Sequence, residues 1–234
     1  MTRVAKLLTE AVGTFLFLSV IALSGPIGPL APLAIGAVLM VVVYMGGHIS
    51  GGHYNPAVSL GLFLRGKIGA QDMGLYWVAQ LVGAALAFIF GYLVSGHTPG
   101  IHPGPKVFAA SALAVEIAYT TLLVLVVLNV AATKETQGNS FYGLAIGFAI
   151  VIAAFAGGPI SGGAFNPAVG LGATFGSAIF ASGSWGDVWL YIVGPLIGAA
   201  IAAGIHYVQV AGLAAATEAA QGEPSPGAPA PTPD

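Results

Sequence analysis

Cysteine is missing from all 234 residues, which excludes disulfides and thiolate metal sites alike. Charge is nearly missing too: Asp, Glu, Lys and Arg make up 6% of the chain, where a soluble domain carries about a quarter. A net charge of −2 offers no basic face to nucleic acid. No nucleophile stands beside a base and no ligand cluster recurs, so neither an enzyme nor a bound cofactor is indicated.

Apolar residues fill the space: 57% of the chain is hydrophobic. The apolar runs are long and apolar on all sides, unlike the short alternating segments of a membrane β-barrel. A spanning helix needs roughly 20 apolar residues, and runs of that size lie at about 5–24, 31–49, 74–95, 108–128, 139–157 and 186–208. The first carries Glu10 and no small-residue cleavage site, so it reads as a span and not as a signal peptide. The linkers "GPIGPL" (25–30) and "GHTPGIHPGP" (96–105) are turn-rich, and "TKETQGN" (133–139) is the charged one. Residues 1–210 form one membrane domain, and the Pro/Ala-rich 211–234 reads as a disordered tail. Arg3, Lys6, Arg65, Lys67 and Lys134 fall on the N-terminal side of the spans and Lys106 on the other, which predicts cytoplasmic termini.

Two shorter apolar pieces, about 56–64 and 167–179, each begin at Asn-Pro. Asn is a strong N-cap, and Pro suits the first helical position, where its missing N–H would be unpaired anyway. The preceding Ser-Gly-Gly supplies backbone that need not be helical. These are half-helices, too short to cross a bilayer.

The halves repeat. Offset by 111 positions, "ISGGHYNPAVSLG" (49–61) and "ISGGAFNPAVGLG" (160–172) differ only at His53/Ala164, Tyr54/Phe165 and Ser59/Gly170. Glu10 and Thr14 match Glu116 and Thr120, and "YWVAQLVGAA" (76–85) resembles "YIVGPLIGAA" (191–200). Each half holds three spans, an odd number, so the second half inserts upside down. The fold class is all-α: six transmembrane helices plus two re-entrant half-helices in an inverted repeat.

Bare backbone at membrane depth is tolerated only inside protein or beside a wet cavity, so the two breaks predict an aqueous path. Two half-helix N-termini meeting at the midplane bring two positive dipole ends, about +0.5 charge each, to one point. Asn55 and Asn166 add amide donors. Neutral hydrogen-bonding solutes pass such a point, and cations meet a barrier, as is known for aquaporin-type pores.

The paired Asn-Pro-Ala boxes (Asn55, Pro56, Ala57 and Asn166, Pro167, Ala168) and the Glu-x-x-x-Thr pairs resemble those of the aquaporin and glycerol-facilitator (major intrinsic protein) family, over about residues 5–208. The resemblance implies a passive channel for water and small uncharged solutes such as glycerol, urea, ammonia, peroxide or neutral metalloid acids. It also implies a homotetramer in the cell membrane, Glu10 and Glu116 as braces of the re-entrant loops, and His53 in the cytoplasmic vestibule. A coupled secondary transporter is the alternative, since it too uses inverted repeats and broken helices.

In the resembled family four positions form an outer constriction, and they fall on Ile35, Ala154, Gly163 and Val169. Family members with narrow filters carry Arg where Val169 stands. Its loss removes a fixed charge and a fork of donors, which predicts a wider, more apolar and permissive ring.

His48 is open between packing and pore, while His97 and His102 read as solvated and His206 as interfacial. Tyr76, Trp77, Trp185, Trp189, Tyr191 and Tyr207, near span ends, read as interface anchors. Gly83, Ala84, Gly198 and Ala199 read as close-packing positions.

Overall fold

A computed structural model describes residues 1–222, with side chains through 213. Eight α-helices follow one another: α1 (Arg3–Leu23), α2 (Ala31–Ser50), α3 (Pro56–Leu64), α4 (Ala70–Ser95), α5 (Ala109–Val127), α6 (Tyr142–Ser161), α7 (Pro167–Phe180) and α8 (Val188–Gly222). A turn of π-helix, Leu128–Ala132, extends α5. Six of the helices are long and apolar enough to cross a membrane. At 1.5 Å per residue, α3 with 9 residues and α7 with 14 reach about 14 and 21 Å, short of the roughly 30 Å hydrocarbon core. Helix α8 runs past residue 210 to Gly222, and residues 223–234 of the expected tail lie outside the described residues.

The half-helices start for the reasons their sequences give. Asn55 and Asn166 have extended backbone, and their side-chain oxygens accept from the N–H of Ala57 and Ala168, each at 2.8 Å. Helices α2 and α6 stop at Gly51 (φ 96°) and Gly162 (φ 93°), left-handed positions that glycine takes without a Cβ penalty.

Packing follows the repeat. Helix α1 lies on α4 and α5 on α8, while α2 meets α6 across the halves. Each half-helix packs on a long helix of the other half as well as of its own, α3 on α8 and α7 on α4. With no hydrophobic drive between helices in lipid, close approach supplies the contact energy. A Cβ on Gly83 would strike the backbone oxygen of Ala11, and one on Gly198 that of Ile117. At the centre, a Cβ on Gly36 would reach Gly147 O and one on Gly147 would reach Gly36 O. That reciprocal contact marks the pseudo-twofold axis.

Candidate functional site

Two buried carboxylates hold the re-entrant loops. Glu10 Oε1 accepts from Ser50 Oγ (2.7 Å) and His53 N (3.0 Å), and Oε2 from Tyr54 N (2.8 Å) and Gln80 Nε2 (2.8 Å). Glu116 Oε1 accepts from Ser161 Oγ (2.7 Å) and Ala164 N (3.0 Å), and Oε2 from Phe165 N (2.7 Å). The loop N–H groups, which no helix or water could satisfy at this depth, thus find acceptors. Each loop is pinned a second time by a tyrosine: Tyr76 Oη donates to Ser50 O at 2.7 Å and Tyr191 Oη to Ser161 O at 2.6 Å.

These loops deliver the two asparagines to each other's loop. Asn55 Nδ2 donates to Phe165 O at 2.9 Å, and Asn166 Nδ2 to Tyr54 O at 3.0 Å. The accepting residues, Tyr54 (φ 49°) and Phe165 (φ 50°), sit in left-handed backbone that a bulky side chain adopts only under constraint. An amide NH₂ has two hydrogens. One from each asparagine is committed across the axis, and the other has no partner among the described residues.

Three cavities lie in series along this axis. An outer chamber of about 220 Å³, on the face away from the N-terminus, reaches inward to Phe17 and Ile150. Both residues also line a small neck of about 10 Å³, beside Asn55, Asn166 and His53. From the neck, Val43, Gly52, Val127 and Ile146 continue into an inner chamber of about 330 Å³, bordered by His48, Thr136, Gln137 and Asn139. A water needs roughly 10–15 Å³ measured in this way, so the neck holds about one.

Among known proteins, the family described as Major intrinsic protein matches residues 1–207. Aquaporin TIP1-2 of Musa acuminata is 40% identical over 179 residues, covering 75% of this chain and 69% of that protein. Aquaporin-8 of Rattus norvegicus is 39% identical, over 80% of this chain and 74% of its own. Glycerol uptake facilitator protein-like 6 of Lactiplantibacillus plantarum is 35% identical, over 85% and 94%. The chain belongs to the major intrinsic protein family. An aquaglyceroporin structure from Plasmodium falciparum shares the fold, with a TM-score of 0.74 at 21% identity over 88% of this chain and 96% of that one. This major intrinsic protein is an integral membrane protein and a passive channel for water and small solutes.

The outer four, Ile35, Ala154, Gly163 and Val169, all line the outer chamber. His53 lies at the neck, its Nδ1 3.0 Å from Ser59 Oγ, and His48 borders the inner chamber. Two sequence readings change. Tyr76 and Tyr191 are buried and hold the loops, so they are not interface anchors. His206 is buried instead of interfacial: Arg65 Nε donates to its Nδ1 at 2.9 Å, and its Nε2 lies 2.7 Å from Thr133 Oγ1. Because Arg Nε can only donate, that Nδ1 is the acceptor, so Nε2 carries the proton and Thr133 accepts it. Thr133 in turn donates to Leu128 O at 2.9 Å, tying the linker after α5 to α3 and α8. Gln80 was missed by sequence reasoning, as a lone polar residue within a span.

Proposed function

We propose that this channel conducts water and small uncharged solutes through the neck between Asn55 and Asn166 while excluding protons and other ions. The observation that carries the reading is the neck itself: two half-helix N-termini, each with one uncommitted amide N–H, at the narrowest point between two chambers. Donors and positive dipole ends favour an oxygen acceptor and disfavour a cation. Water held there presents its oxygen to both asparagines, which breaks a proton-conducting file.

The outer ring adds no charge. Ile35, Ala154, Gly163 and Val169 impose no selection by charge among glycerol, urea, ammonia, hydrogen peroxide and undissociated metalloid acids. Both buried carboxylates are turned onto loop donors and neither lines a chamber or the neck, which speaks against a coupled transporter that binds its ion there. The protein works in the cell membrane with both termini in the cytoplasm, a reading supported by five basic residues on the N-terminal side against Lys106 opposite. It assembles as a homotetramer with one pore per subunit, on family resemblance.

Stopped-flow light scattering on proteoliposomes tests the reading. Water flux well above empty vesicles, non-saturating and independent of proton or sodium gradients, is expected. Saturable flux that needs such a gradient refutes it.

A further inference from the structure

We propose that the size sieve of this channel is an apolar collar at the asparagine layer, and that the outer ring does not sieve. The proposal rests on the reading of the three cavities as the permeation path. The four outer-ring residues do not divide the outer chamber: it runs as one space of about 220 Å³ from Ser24 and Pro99 near the mouth, past Ile35, Ala154, Gly163 and Val169, to Phe17 and Ile150. Alanine and glycine at two of the four positions leave nothing to pinch it. The narrowing comes one layer deeper, where the space falls to about 10 Å³.

Three helices make most of that collar, Leu39 and Val43 from α2, Leu123 and Val127 from α5, and Ile146 and Ile150 from α6, and Phe17 of α1 and Val58 of α3 complete it. The six from α2, α5 and α6 are buried and apolar, so the wall they form opposite the asparagines has no side-chain polar group. A solute in the neck therefore finds the asparagine donors, with Gly52 and His53 beside them, on one side and hydrocarbon on the other. Its own hydrogens gain few acceptors there, and each unmatched polar group raises the barrier. Width and hydrogen-bond count select together. Water, ammonia and hydrogen peroxide fit as slender solutes with few polar hydrogens. Glycerol and urea are too broad for a space of about one water and bring more donors than the neck can match.

The test uses the full chain in proteoliposomes, with water followed by light scattering, peroxide by an enclosed dye, and glycerol and urea by osmotic relaxation. Wild-type protein is expected to pass water and peroxide, with glycerol and urea near the empty-vesicle background. Leu39→Ala or Ile146→Ala should raise glycerol or urea flux tenfold or more. Val43→Ile, a single added methylene that leaves the fold's packing pattern in place, should cut water flux several-fold and keeps the proposal testable where a widening variant fails to fold. Water flux accompanied by rapid glycerol flux in the wild type, or Ile35→Ala raising glycerol flux more than the collar variants do, overturns the sieve and leaves the channel reading standing. Absence of water flux from folded wild-type protein overturns both.

Discussion

Replacing Glu10 by Gln should destabilise the protein more than replacing Glu116 by Gln, although the two residues occupy equivalent places in the repeat. Each Glu10 oxygen accepts two hydrogen bonds, from Ser50 Oγ and His53 N on one side and from Tyr54 N and Gln80 Nε2 on the other. Whichever way the new amide turns, its NH₂ faces one loop N–H, which loses its acceptor, and one side chain, Ser50 or Gln80, that must turn round to accept where it now donates. Glu116 accepts two at Oε1 and one at Oε2, so Gln can place its NH₂ on the singly bonded side. Ser161 also has Gly157 O, 3.4 Å away, to turn to. At roughly 1.5–3 kcal/mol per hydrogen bond to a carboxylate, both variants lose one loop bond, and Glu10→Gln loses in addition the ordinary bond, about 0.5–1.5 kcal/mol, that the reversed side chain gives up. A difference of that size lowers the melting temperature of Glu10→Gln by roughly 1–6 °C more, at about 2–4 °C per kcal/mol for a chain of this length. Thermal unfolding of both variants in one detergent, followed by circular dichroism, measures the gap. Equal melting temperatures, or a lower one for Glu116→Gln, would refute the count of donors on which the asymmetry rests.

Val169 is buried against the outer chamber, so Val169→Arg brings a fixed charge and five donors into a space whose polar groups are backbone carbonyls and the Ser24 hydroxyl. Peroxide and ammonia fluxes should fall relative to water in the proteoliposome assay, and unchanged ratios would place that side chain away from the path. Gly83→Ala pushes a methyl into the Ala11 carbonyl, and forcing α1 from α4 should cost about 1–3 kcal/mol, visible as a lower melting temperature; a neutral result would mean that the two helices slide freely. His206→Ala leaves Arg65 Nε and Thr133 Oγ1 without their partner. A loss of about 1–3 kcal/mol and faster proteolysis in the 133–141 linker are expected, whereas His206→Ala with wild-type cleavage rates would show that the linker is held by other bonds.

Local chemistry made much of this fold legible. Asn-Pro after Ser-Gly-Gly specifies where a half-helix begins, because cap, fixed φ and permissive glycine all act within a few residues. The spans were legible through length and apolarity, and the inversion through an odd number of spans per half. What sequence reasoning missed depends on partners far along the chain. Arg65 and His206 are 141 residues apart, and nothing in either neighbourhood announces the other. Tyr76 and Tyr191 fit the composition of a membrane interface, yet their hydroxyls reach inward to the loops. The repeat held the clue, since the two tyrosines open matching segments. Gln80 gave none, because its counterpart is Pro195.

The departures from the repeat fall together in space. His53 and Ser59 replace Ala164 and Gly170, and with Gln80 in place of Pro195 they form one connected group: Ser59 Oγ receives Gln80 Nε2 at 3.1 Å, meets His53 Nδ1 at 3.0 Å, and reaches Asn55 O at 3.2 Å. The second half has no room for the same group, since a Cβ on Gly170 would strike the Cβ of Tyr191. The frame of carboxylates, tyrosines and asparagines is therefore symmetric, while the lining is not. Polar side chains gather toward the inner chamber, and the outer chamber, Ser24 apart, is lined by hydrocarbon and backbone. A passive pore cannot convert that asymmetry into net flux, because a solute crossing in either direction climbs to the same highest point. What the asymmetry sets is where a solute waits. The inner chamber offers a hydrogen-bonding molecule more side-chain partners than the outer one, so a solute should dwell longer on the inner side of the neck.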